Sequence, residues 1–75
     1  MSIAHTIFTK AAERMLGGEN GLIEFHYSTY PCVGDKLTIR TSPGNRVLTF
    51  RCIERRFDFS GAEESVFLLF DACET

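Results

Sequence analysis

Apolar residues along this chain follow two different periods. Ile7, Phe8, Ala11, Ala12, Met15 and Leu16 recur at helical spacing and make one stripe, which predicts a helix over residues 6–16. Thr6 is placed to cap its start. Gly17-Gly18 can end it, because glycine accepts the left-handed backbone of a C-terminal cap. A short strand over residues 3–9 competes for the same stretch, since Ile7 and Thr9 are β-branched and Phe8 also favours strands. The helix is the primary expectation.

Beyond the Asn20-Gly21 turn the period changes to two. From Leu22 to Tyr30, Ile23, Phe25 and Tyr27 alternate with Glu24, His26 and Ser28, and Pro31 ends the run because proline cannot donate to a ladder. Val33-Gly34-Asp35-Lys36 reads as a turn into a second alternating strand, Leu37 to Arg40. The cluster Ser42-Pro43-Gly44-Asn45 then closes a hairpin over residues 36–54.

On the returning arm Leu48, Phe50 and Cys52 share a face, but the same parity would carry Glu54, Arg56 and Asp58 inward. Burying three charges costs far more than a local irregularity, so a β-bulge is expected between Ile53 and Arg56. After the turn at Ser60-Gly61-Ala62-Glu63-Glu64, Val66 to Phe70 is apolar on both faces, as suits a central or doubly covered strand.

The expected architecture is α+β: an N-terminal helix packed on a four-stranded antiparallel meander, with curling into a small SH3-like barrel as the closed variant. Its 75 residues make a single small domain. A chain of this length buries only roughly 60% of its unfolded surface. Apolar residues nevertheless make up 44% of it, enough to fold without metal or disulfides.

Cys32, Cys52 and Cys73 form no close pair, so neither a disulfide framework nor a zinc motif is expected. His5 and His26 are the other possible metal ligands, and no metal or cofactor is expected from this set. Cys52 follows Phe50 on the core face and reads as a small hydrophobe. Thiol catalysis would need a cysteine beside a histidine and an orienting group, and no local motif supplies one. Gly17-Gly18 ends a helix instead of opening one, the wrong end for a phosphate. An enzyme is therefore not expected. Charges interrupt the first apolar stretch, no run approaches the ~20 residues that cross a bilayer, and the thiols suit a reducing compartment, so the expected location is cytoplasmic.

Charge is the feature that points to function. The net charge is -2, yet Lys36, Arg40, Arg46, Arg51, Arg55 and Arg56 face only Glu54 between positions 36 and 56. The middle of the chain therefore carries +5 and the rest -7. Phe57 and Phe59 follow directly. Lys36, Arg40, Arg51, Arg55, Arg56, Phe57 and Phe59 are the candidate binding residues, with Tyr27 and Tyr30 as further aromatic candidates. Arginine and aromatic groups concentrate binding energy at protein interfaces, so the expected role is a non-catalytic interaction or regulatory module. Its partner is another protein or a second copy. Nucleic-acid binding by the same basic-aromatic face is the alternative, through phosphate contacts and base stacking.

Overall fold

The computed structural model describes residues 2–21 and 30–73. Six elements follow in chain order: β1 (Ser2–Phe8), α1 (Lys10–Leu16), β2 (Asn20–Gly21), β3 (Lys36–Ser42), β4 (Val47–Asp58) and β5 (Glu64–Ala72). The sheet order is β1-β5-β4-β3-β2, with β1 parallel to β5 and every other pair antiparallel. The sheet curls into a half-barrel with one short helix.

The expectation of an antiparallel-dominated α+β domain stands, and three details are corrected. The first element is a strand, five strands are described instead of four, and the parallel β1–β5 pair breaks the simple meander. The alternating run expected over Leu22 to Tyr30 lies, except for Tyr30, outside the described residues. Asn20-Gly21, expected as a turn, is a two-residue strand against Ser42 and Thr41.

Why residues 2–8 are extended follows from their neighbour. β5 takes a strand along each edge, β1 on one side and β4 on the other, which pairs its backbone groups in both directions. As a strand, β1 turns Phe8 into the core, where its ring lies 5.2 Å from Phe50 and 6.0 Å from Phe70, while Ile7 faces outward. The helix is postponed to Lys10 because Thr9, not Thr6, is its cap. Thr9 is extended at φ -65° and ψ 166°, and its hydroxyl oxygen accepts the Ala12 N–H at 3.2 Å. The same hydroxyl donates to Asp71 Oδ1 at 2.6 Å, tying the cap to β5. At the other end Gly17 is left-handed, and its N–H donates to the Glu13 carbonyl at 3.0 Å. Seven residues make too short a helix to persist alone. Ala12 and Leu16, buried against the sheet, hold it in place.

The core consists of those two residues with Ile39, Phe50, Cys52, Val66, Leu68 and Phe70, against which Phe8, Met15, Tyr30, Leu37 and Leu48 pack. A β-turn at Cys32–Asp35, with Gly34 at φ 99°, joins it to β3. That turn docks on β4: Gly34 N–H donates to the Cys52 carbonyl at 2.8 Å, and Cys52 N–H to the Asp35 carbonyl at 2.9 Å.

The bulge falls at the start of the expected interval. Cys52 pairs with Phe70 and Glu54 with Leu69, leaving Ile53 as the extra residue. From that point the parity of β4 is reversed, and this reversal positions the site.

Candidate functional site

Parity before and after Ile53 sorts the candidate residues onto two faces. Arg51 stands opposite Asp71 and Lys36, and Arg40 opposite Val47, on the outer face of the sheet. After the bulge Arg55 stands opposite the buried Leu68, and Phe57 opposite the buried Val66, on the inner face. Arg56, opposite Phe67, is again on the outer face. Lys36, Arg40, Arg51 and Arg56 thus share one side, and Arg55, Phe57 and Phe59 the other. The single hairpin face expected from the sequence is two surfaces that meet at the edge of β4.

On the inner face the contact is continuous. The rings of Phe57 and Phe59 stack at 6.3 Å and 10°. The Arg55 guanidinium carbon lies 5.3 Å from the Phe57 centroid, and Arg55 Nη1 donates to Cys32 Sγ at 3.2 Å. Phe57 is 49% exposed and Phe59 66%, so these rings share the parity of the core but not its burial. The helix explains the difference. It is anchored through Thr9 to Phe70 and Asp71, at the opposite end of β5 from the partners of Phe57.

On the outer face a row crosses three strands. Arg56 lies 4.4 Å over the Phe67 ring, and Phe67 stacks on His5 at 4.7 Å and 12°. The register places these three side by side, His5 on β1, Phe67 on β5 and Arg56 on β4. His5 and Phe67 were missed as surface candidates. A strand assignment for residues 2–8 would have placed His5 beside Phe67, but a helix assignment could not.

Charge pairing separates the arginines further. Among the described residues the one ion pair joins Arg46 to Glu19. Arg46 Nη2 also donates to the Met15 carbonyl at 3.0 Å and the Leu16 carbonyl at 2.8 Å, closing the C-terminal end of α1. Arg46 is therefore spent on structure. Arg40 donates to Asn45 Oδ1 at 3.3 Å. Arg51, Arg55 and Arg56 are exposed and form no ion pair among the described residues. Asp58 is hydrogen-bonded locally: the Ser60 hydroxyl donates to it at 2.6 Å and the Ser60 N–H at 2.9 Å, and these bonds, with a smaller contribution from the Arg56 charge, hold its carboxyl below the usual range.

Little else in the described molecule has reactive geometry. Among the described residues no group of three His, Cys, Asp or Glu side chains could hold a metal ion. Cys52 is fully buried, and burial pushes its thiol above the ordinary value, away from the reactive thiolate. Cys73 is buried and Cys32 exposed. His26 and Tyr27 lie outside the described residues, and Tyr30 is half-buried against the core. A shallow hollow beside the helix is lined by Phe8, Glu13, Leu16 and Glu19. Among the described residues no helix is long and apolar enough to cross a membrane. Comparison with protein-family models, curated proteins and solved structures finds no match for this chain.

Proposed function

We propose that this protein is a non-catalytic interaction module that captures a partner protein through the exposed arginines of β4 and the aromatic rings that follow them. One observation carries the reading: Arg51, Arg55 and Arg56 are exposed and form no ion pair among the described residues, and two exposed rings lie beside Arg55. Arginine and aromatic side chains supply most of the energy where protein interfaces concentrate it. The guanidinium over Phe57 also pre-orders a long side chain that would otherwise lose entropy on binding.

The test is capture of partners from the native host by the intact protein and by the Arg51→Glu/Arg55→Glu variant. Loss of capture with unchanged thermal stability is the expected result, and undiminished capture rejects the assignment. The two single variants then separate the faces, since Arg51 belongs to the outer one and Arg55 to the inner.

A nucleic-acid reading draws on the parallel exposed rings of Phe57 and Phe59, which offer a surface for stacked bases. It is disfavoured by Glu54 and Asp58, which flank Arg56 on the outer face, and by the net charge of -2. Nuclease treatment of the captured material separates the two: a partner that survives it is protein-bound. Salt titration gives the same answer, because phosphate contacts produce a steep linear fall of log affinity with log salt.

A further inference from the structure

We propose, resting on the interaction reading above, that the partner contributes an acidic extended segment that adds as a strand to the edge of β4 over Glu54–Asp58 that carries no strand among the described residues. The cross-strand partners of β4 define that edge. β3 accompanies β4 only as far as the Lys36–Arg51 pair, and the turn at Cys32–Asp35 completes the contact at Cys52. From Ile53 onward β4 continues beside β5 on one side, and no described strand lies on the other. Backbone donors and acceptors along such an edge are a template for a further strand, which satisfies both kinds of group at once.

Side chains on this edge select what may join it. Arg55 points to the inner face and Arg56 to the outer, so an added strand meets a guanidinium on either side of its own plane. A strand that set basic residues beside these guanidinium groups would be repelled. A strand with a carboxylate next to Arg55 finds the opposite situation, because Glu54 and Asp58 both lie on the outer face. On the inner face its following apolar residue would rest on Phe57 and Phe59, removing from water rings that are 49% and 66% exposed. The matching segment therefore carries acidic residues and then an apolar or aromatic one. A phosphodiester chain offers Arg55 and Arg56 the same charge, but its backbone has no alternating donors for the β4 carbonyls.

Cys32 makes the occupancy measurable. Its exposed thiol accepts from Arg55, whereas Cys52 and Cys73 are buried, so a thiol reagent reports on the groove beside β4. The probe is a short fluorescent peptide alternating Glu with Val and Phe. Companion peptides are methylated on alternate backbone nitrogens in one phase or the other, a further one has Lys in place of Glu, and oligothymidylate serves as the polyanion control. Strand addition predicts that the acidic peptide binds and slows alkylation of Cys32. One methylated phase should then lose about tenfold or more in affinity while the other keeps it. Arg55→Glu and the Lys peptide should each abolish binding.

Equal affinity of the two methylated phases overturns strand addition. So does absence of peptide binding, with or without binding of oligothymidylate. Either result leaves the interaction reading intact if Arg51→Glu/Arg55→Glu still loses the native partner. Retained capture by that variant overturns both.

Discussion

Arg46 and Arg55 belong to the same hairpin arm, one just before β4 and the other within it, and they are used in opposite ways. Arg46 is held by Glu19 and two helix carbonyls, and the residues around it are tied down as well: Thr41 Oγ1 accepts the Arg46 N–H, and Thr9 bridges helix and sheet. Arg55 has a sulfur atom and an aromatic face for neighbours, with no carboxylate among the described residues. The helix end of the sheet satisfies its polar groups and buries Phe50 and Phe70 completely. The far end keeps the core parity but leaves Phe57 and Phe59 largely in water. A seven-residue helix spans only about 10 Å, too little to cover both ends. On the proposed reading, one end maintains the fold and the other makes the contact.

Substitutions can break or sharpen this comparison. The largest effect is expected at Phe70→Ala, which removes a fully buried ring between β1 and β4 and should cost about 3–5 kcal/mol in urea denaturation. Arg46→Ala comes next, with a loss of about 1–2 kcal/mol as the last carbonyls of α1 and Glu19 lose their partner. Helical circular dichroism should fall with it. Thr9→Ala should cost about 1 kcal/mol through the lost cap and its link to Asp71, and Thr9→Ser should restore most of it.

A pH scan probes the same core. Burial raises the Cys52 thiol above its ordinary 9.0, so the folded state holds this proton more tightly than the unfolded chain. Its contribution is complete below that pH and is lost as pH rises beyond it. Stability should therefore decline as pH rises above about 9, and Cys52→Ala should flatten the decline measured by denaturation there.

Much of the fold was legible where a local cost decided the matter. The bulge near Ile53 could be foreseen because three charges on one parity cannot be buried. The central place of β5 could be foreseen because both of its faces are apolar. Gly17 ended the helix and Gly34 made the turn for reasons of backbone conformation alone. Residues 2–8 were different. The pairs Ile7-Phe8, Ala11-Ala12 and Met15-Leu16 repeat at a spacing that continues one helix, and only the distant pairing with β5 makes the first pair a strand. The candidate site was legible in its residue types and not in its arrangement. The bulge inferred from Glu54, Arg56 and Asp58 also turns Arg55 away from Arg51, so two arginines of one strand face opposite sides. The expectation of a single basic face did not carry that consequence through.

The central claim is that the rings at the far end of β4 are not kept for stability. Urea denaturation of the Phe57→Ser/Phe59→Ser double variant, beside the unaltered protein, tests it directly. The account predicts midpoints that agree to within about 0.5 kcal/mol of unfolding free energy, as for surface positions. A loss of about 3 kcal/mol or more, the size expected from emptying a core, would contradict it.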